Sequence, residues 1–596
     1  MNLFPTQKQA IDFITRYDWE KTSKVNIAFL RNITLEPIQP FIRYYLGQVD
    51  LDANFHFCDF DNFLQPVLDS DSSLYQFNPD FIVISLKLEY FAEKFCFAYL
   101  EDRGSDNRSF EQVPELIHNI VSALKNNSNA QILVHNFEEP LFPALGIIDS
   151  QGSDFQLAQV RYLNESLRDI AKENKGVYLI DVNLIQSKVG GFNSIDKRYW
   201  AIGKAPYSVD AYPLIAQNYA QMVAANLGKT KKCIVLDMDN TLWGGILGED
   251  GFNGIKIGTT FPGNAFREFQ LVLLNYYHKG IILCACSKNN MDDVMEVLDN
   301  HPDMILKKEH FSNLKINWND KVSNIKEISE DLNIGLDSMV FIDDSDFEVN
   351  LVREYLPQVH VIQASKDPTQ ISYQLLSYGF LDSLTFSKED KNRTKMYQQE
   401  IERHELKKTT INMSDFLASL EMRVEVESLT EFTIPRVSQL TQRTNQFNLT
   451  TKRYSTDILE RLYKDGNTKI YTLKVSDKFG DSGIVGVIIL EKRCEVCLID
   501  TLLMSCRMLG RDIEKALLFS GIRWAKKEAC KEAVGLYIKT SKNSQVEDFY
   551  SQMGFQELEN DKENSTIKYR IGVDNIFDCN SPVFNTLIID GEQYEH

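Results

Sequence analysis

The chain has 596 residues, too many for one hydrophobic core, so several domains are expected. Lys plus Arg total 64 against 84 Asp plus Glu, a net charge of -20, which repels nucleic acid and any acidic partner that does not meet a local basic patch. Met1-Asn2-Leu3-Phe4-Pro5 lacks a basic stretch followed by an apolar core, and no apolar run reaches a membrane span, so a cytoplasmic protein is expected.

Val25-Asn26-Ile27-Ala28-Phe29-Leu30, Phe81 to Leu86, Gln131 to His135 and Val177 to Asp181 read as four buried strands. Helical patterns such as Val113 to Lys125 and Ala158 to Glu173 lie between them, and this alternation predicts a parallel α/β sheet over residues 1–228. The layout resembles the SGNH hydrolase fold. That family needs a Ser nucleophile after its first strand and a late Asp-x-x-His, but Arg31-Asn32-Ile33-Thr34 has no Ser and Pro206 to Tyr212 has no His. A binding or docking domain without esterase chemistry is expected, with His135 structural.

Residues 229–385 carry the chemistry. Cys233 to Leu236 is a short apolar run that suits a buried parallel strand, and ligands of such sheets sit at the strands' carboxyl ends. Asp237 falls at that mouth and Asp239 just beyond it. Two close carboxylates repel unless a cation lies between them, and Mg²⁺ prefers oxygen ligands. The glycine-rich Trp243-Gly244-Gly245-Ile246-Leu247-Gly248-Glu249-Asp250-Gly251 suits a hairpin or flap, with Trp243 able to exclude water. A helix is expected from Pro262 to Gly280, with Phe266, Phe269, Leu273 and Tyr276 on one face.

Ile281 to Ser287 reads as a second parallel strand ending in a hydroxyl, which with backbone N–H groups can hold a phosphate oxygen. In Asn317-Trp318-Asn319-Asp320-Lys321, Asn319 or Asp320 caps a helix through Ile325, Ile328 and Leu332. Lys321 then sits in the first turn, where the helix dipole disfavours a cation unless a bound phosphate offsets the cost. Lys288 and Lys315 are rival phosphate contacts. Met339 to Ile342 forms another buried strand, ending in Asp343-Asp344 and followed by Glu348.

This order of motifs resembles the haloacid dehalogenase (HAD) superfamily of aspartyl phosphotransferases, and more narrowly its FkbH-like branch. The branch likeness rests on Asp239 to Gly245, Cys286 to Asn290, Asn317-Trp318 with Asp320-Lys321, and Thr444-Asn445-Gln446-Phe447-Asn448-Leu449-Thr450-Thr451. The resemblance implies Asp237 as nucleophile and metal ligand, and Asp239 as acid/base whose backbone carbonyl also binds metal. It implies Thr241 as the following Thr, Ser287 and Lys321 as phosphate holders, and Asp344 as the last metal carboxylate, with Asp343 and Glu348 in support. It further implies glyceryl transfer from 1,3-bisphosphoglycerate to an acyl carrier protein for polyketide extender units. Cys286 is the nearest thiol to the motifs and is a candidate for a transient acyl group, although strand alternation turns it toward the core.

Residues 386–420 are expected as a largely solvated connecting helix from Lys388 to Lys408, with a new domain over 421–575 and a tail over 576–596. Ile470 to Val475 and Gly483 to Leu490 read as a hairpin joined by Asp477-Lys478-Phe479-Gly480-Asp481, and Val496 to Met504 as a further strand. Cys494 and Cys497 have C-x-x-C spacing without a second pair, so core packing is expected rather than zinc. The region resembles the GNAT acyltransferase fold, an α+β domain. The likeness places Arg507, Leu509, Gly510 and Arg511 at a pyrophosphate cradle, with Asn543 beside it and Tyr550 as the family's usual general acid. Asp512 stands where that family has a small residue and opposes pyrophosphate, so coenzyme A binding is in question while phosphopantetheine binding stays open.

The reading is a three-domain α/β chain: an SGNH-like parallel α/β domain, a HAD Rossmann-like parallel α/β domain and a GNAT-like α+β domain. Its leading function is Mg²⁺-dependent acyl transfer from a small phosphorylated metabolite to a carrier thiol. The alternatives are a small-molecule phosphatase acting through an aspartyl-phosphate, and a non-catalytic assembly scaffold.

Overall fold

The computed structural model describes residues 4–102, 110, 112–384, 393–409, 413–505, 508–540, 543–561, 565–575 and 584–594. The chain forms two compact units, Met1–Ala224 and Ala225–His596. No helix among the described residues is long and apolar enough to cross a membrane.

The first unit is built on strands β1 (Ser23–Arg31), β2 (Leu51–Phe57), β3 (Phe81–Ser85), β4 (Gln131–His135) and β5 (Val177–Ile180). They form one sheet in the order β2-β1-β3-β4-β5, and every neighbouring pair is parallel. All five residues of β3 are buried, as expected of a strand covered on both faces. The helices Val113–Asn127 and Gln156–Glu173 supply Ile117, Val121, Leu124, Val160 and Leu163 to the same core. His135 ends β4 as a structural residue: Nδ1 lies 3.1 Å from Ser85 Oγ, and Nε2 lies 2.5 Å from the Tyr219 hydroxyl. Burial pushes its pKa down to about 4. After β1, Arg31 pairs with Glu36 at 2.7 Å, in the loop where an esterase would carry its nucleophile.

The second unit holds two sheets. Strands β6 (Cys233–Leu236), β7 (Ile282–Ser287), β8 (Phe311–Ile316), β9 (Met339–Asp343) and β10 (His360–Gln363) form an all-parallel sheet in the order β10-β9-β6-β7-β8. The central β6 has all four residues buried, and its flanking strands leave in opposite directions along the sheet, which opens a crevice at its carboxyl end.

The other sheet contains β11 (Met422–Ser428), β12 (Phe447–Asn448), β13 (Thr468–Asp477), β14 (Gly480–Arg493), β15 (Val496–Met504), β16 (Glu532–Ile538), β17 (Gln556–Asp561), β18 (Thr566–Gly572), β19 (Phe584–Ile589) and β20 (Glu592–Tyr594). Its order is β17-β18-β16-β15-β14-β13-β11-β19-β20, with β12 pairing β15. The expected β13–β14 hairpin forms. The helix Glu514–Lys527 buries Ala516, Leu517, Leu518 and Ile522 in this core, completing an α+β domain.

Three expectations change. Residues 584–594, read as tail, add β19 in parallel beside β11 and β20 beyond it. Cys494, expected in the core, lies exposed in the turn between β14 and β15, while Cys497 is buried. The connecting helix, Arg393–Thr409, is no solvated spacer. Tyr397 joins the core of the parallel sheet, and Arg403, 2% exposed, bonds Asp477 through Nε and NH2 at 2.7 and 2.8 Å. Charge along the helix hid one face that packs on both sheets of the unit.

Candidate active site

The carboxyl ends of β6 and β9 bring three acids together. Asp237 follows β6 and donates its N–H to Ile342 O of β9 at 2.9 Å, which fixes its place at the strand mouth. Oxygens of Asp237, Asp343 and Asp344 lie within 4.8 Å of one another. Lys321 enters this cluster from the start of the helix Lys321–Leu332, which Asp320 caps through Ser323 N–H at 2.8 Å. Its Nζ donates to Asp237 Oδ1 at 2.7 Å and to Asp343 Oδ2 at 2.5 Å. Burial opposes the Lys321 charge, but the two carboxylates outweigh it and push its pKa up. Burial first, then Asp237, raises the pKa of both Asp343 and Asp344. The Asp343 oxygens are engaged by Lys321 and by Ser345 N–H at 2.8 Å, while Asp237 Oδ2 accepts no bond among the described residues.

Asp239 is held in place from three sides. Its Oδ1 accepts from Trp243 Nε1 at 2.9 Å and Leu247 N–H at 3.1 Å, and its Oδ2 accepts from Asn289 Nδ2 at 2.9 Å. Burial raises its pKa against the lowering effect of these donors. Trp243 is fully buried, so it anchors Asp239 from within instead of covering the mouth. The glycine-rich turn is set by Gly245, whose φ of 93° suits glycine and whose N–H bonds Asn240 Oδ1 at 2.9 Å. Thr241 is buried beneath it, with its hydroxyl unpartnered among the described residues.

Ser287 ends β7, 2% exposed, and its Oγ accepts from Asn289 Nδ2 at 3.3 Å. Asn289 thus joins Ser287 to Asp239, a role the sequence reading left unassigned; the visible signal was a polar side chain two residues past the hydroxyl in a strand-to-helix turn. The rival lysines are occupied elsewhere: Lys288 pairs with Glu348 at 2.6 Å, and Lys315 with Asp331 at 2.8 Å. Cys286 is fully buried among Val322, Ile325 and Phe341, and burial pushes its thiol up to about 12. It is corrected from candidate acyl carrier to core residue, as strand alternation requires.

The residues expected around a ligand in the C-terminal sheet turn inward. Arg511 is 4% exposed and bonds both Glu400 oxygens, at 2.7 and 2.8 Å. Leu509 packs against the core, and Gly510 takes φ 74° in the same loop. Asn543 is fully buried and donates to Asn448 O at 3.0 Å and Ile538 O at 2.9 Å. Tyr550 is 1% exposed, and a Cβ on Gly535 would lie 2.4 Å from its ring. These positions correct the expectation that Arg511, Asn543 and Tyr550 face a bound group. Arg507 lies outside the described residues.

Residues 45–224 match the family described as FkbH, N-terminal domain, and residues 232–367 match the NLI interacting factor-like phosphatase family. No curated protein matches the chain. The N-terminal part of BF1531 from Bacteroides fragilis, which contains a phosphatase domain and is complexed with Mg, is a similar solved structure: 27% identity, TM-score 0.58, 64% of this chain and 100% of that one covered. The ribosomal-protein-S18-alanine N-acetyltransferase from Escherichia coli covers 26% of this chain and 98% of its own, at 13% identity and a TM-score of 0.21. Rv2747 from Mycobacterium tuberculosis, in complex with CoA and NLQ, covers 25% and 98% at 15% identity and a TM-score of 0.20.

Proposed function

We propose that this chain, an FkbH-type enzyme of the HAD superfamily, moves a glyceryl-type acyl group from an acyl phosphate such as 1,3-bisphosphoglycerate to the phosphopantetheine thiol of an acyl carrier protein. The observation that carries the reading is the cluster of buried Asp237, Asp343 and Lys321 with half-buried Asp344, next to an enzyme thiol that is sealed away. In this reading the enzyme works in the cytoplasm and its first 228 residues serve docking.

The acid cluster fits a hard divalent cation. Asp237 and Asp344 would hold Mg²⁺, with the main-chain carbonyl of Asp239 added by the family likeness, and the ion would neutralise charge on a seated phosphate. Lys321 and Ser287 bind phosphate oxygens and orient the acyl carbonyl toward the opening. The carrier sulfur forms a bond to the carbonyl carbon, and the bond from that carbon to the phosphate oxygen breaks. The acyl-linked phosphate leaves with the electron pair and takes the thiol proton, giving hydrogen phosphate and a thioester that, from 1,3-bisphosphoglycerate, keeps its 3-phosphate. With Cys286 in the core, the attacking sulfur comes from the partner.

A second reading, hydrolysis of a small phosphorylated metabolite, is favoured by the phosphatase-family match over residues 232–367. Asp237 would then attack phosphorus through its open oxygen, and Asp239 would protonate the leaving group. Incubation with Mg²⁺, 1,3-bisphosphoglycerate and holo-carrier separates the two. A carrier mass increase of one 3-phosphoglyceryl unit supports transfer, and phosphate release without that increase supports hydrolysis.

A further inference from the structure

Strands β15 and β16 pair in parallel only from Val496↔Glu532 to Ile499↔Gly535, and beyond that they part. A fork of this kind leaves N–H and C=O groups along both inner edges, and buried backbone groups need partners. The chain supplies them itself. Phe447 and Asn448 pair antiparallel with Met504 and Leu503 of β15. Leu449 N–H donates to Leu502 O at 3.1 Å, and Ile538 N–H of β16 donates to Leu449 O at 2.8 Å. One three-residue stretch therefore bridges both arms of the fork.

Side chains lock the stretch in place. Asn543 Nδ2 holds Asn448 O at 3.0 Å. The Asn448 side chain, fully buried, accepts from Thr451 N–H at 2.8 Å and donates to Thr444 O at 3.2 Å, curling the segment on itself. Phe447 is 4% exposed, with its ring 5.4 Å from that of Phe549. After β15, the loop leading to Glu514–Lys527 turns Arg511 to Glu400 and keeps Asp512 and Glu514 at the helix start, where they would repel a pyrophosphate.

We propose that Thr444–Thr451 is an internal plug that keeps the β15–β16 fork closed, so that the plug and an extended amide chain of the pantetheine type exclude one another. A pantetheine arm carries two amides on an extended chain and would satisfy the strand edges as a peptide does, by the chemistry of an added strand. The fork offers one set of edge groups, and the segment already takes up those of Leu502 to Met504 on one arm and the Ile538 N–H on the other. A ligand enters only in proportion to the fraction of molecules with the segment out, and its apparent affinity falls by that fraction. This inference is independent of the reading of the Asp237 site.

Calorimetric titration of the full chain with pantetheine, paired with hydrogen exchange at the Leu449 and Ile538 amides, tests it. Wild type is expected to bind at least about tenfold more weakly than Phe447→Ser. Asn543→Ser, which removes one bond to the segment, serves where Phe447→Ser does not fold. Saturating pantetheine is expected to abolish the Leu449 protection in wild type. Pantetheine binding that leaves both amides protected would overturn the proposal, as would folded variants that bind no tighter than wild type. Absence of binding to wild type with both amides protected agrees with it.

Discussion

Lys321 Nζ lies 2.7 Å from Asp237 Oδ1 across 84 positions of sequence, and both groups are buried. A cation in the first turn of a helix opposes the helix dipole, and Asp237 and Asp343 offset that cost before any substrate arrives. The same ammonium keeps the acids from repelling one another.

Replacing Lys321 by Met leaves two buried carboxylates without their cation, and breaking a buried pair costs roughly 3–5 kcal/mol. Lys321→Met should therefore lower the melting temperature, lose roughly 10²-fold or more in carrier loading, and regain part of its melting temperature with Mg²⁺. Calorimetric scans with and without Mg²⁺ check the stability arm; a melting temperature equal to wild type would show that the pair contributes little.

Mg²⁺ binding to the folded state alone should stabilise it by about 2.7 kcal/mol at one hundred times the dissociation constant. The melting temperature of wild type should rise with Mg²⁺ and fall back with EDTA. Asp344→Asn should show a much smaller rise, and an undiminished rise in that variant would place the ion elsewhere. Asp237→Asn should also lose roughly 10³-fold in turnover, read as phosphate released per enzyme.

Cys286→Ala should load carrier within about twofold of the wild-type rate, because the thiol is buried and held protonated. The variant should instead lose roughly 1 kcal/mol of stability from the small cavity it leaves. A large fall in loading rate with unchanged stability would return Cys286 to the chemistry.

His135 makes the first unit sensitive to acid. Its folded pKa is pushed to about 4, below an unfolded value of about 6.5. Between those values the unfolded chain takes a proton that the folded one refuses, so stability is full above about pH 6.5 and falls as pH drops toward 4. Urea denaturation of His135→Gln at several pH values should show a flatter profile than wild type across that window. Parallel profiles would assign the acid loss to other groups.

Much of the candidate site was legible because Asp237, Ser287 and Asp344 each follow a short apolar strand, and parallel strands deliver their carboxyl ends to one crevice. Lys321 was legible differently, as a cation in the first turn of a capped helix. Asn289 went unassigned and Trp243 was read as a cover because their bonds to Asp239 depend on how the turns fold back, which spacing does not encode. Arg511 was misplaced because its partner, Glu400, lies 111 positions upstream on a helix whose charge suggested a solvated surface. Strands β19 and β20 were missed because their pairing partner, β11, is remote in sequence. The two parallel sheets were the easiest features to foresee, since alternating apolar strands and amphipathic helices leave few other topologies.

The origin of the oxygen atoms in the released phosphate tests the central claim most directly. With holo-carrier, Mg²⁺ and 1,3-bisphosphoglycerate in water enriched in oxygen-18, attack by sulfur on the carbonyl carbon predicts phosphate free of the label and a stoichiometric gain of a 3-phosphoglyceryl group on the carrier. One solvent-derived oxygen in each phosphate, with the carrier mass unchanged, would mean that Asp237 opens the phosphorus bond instead and would contradict acyl transfer.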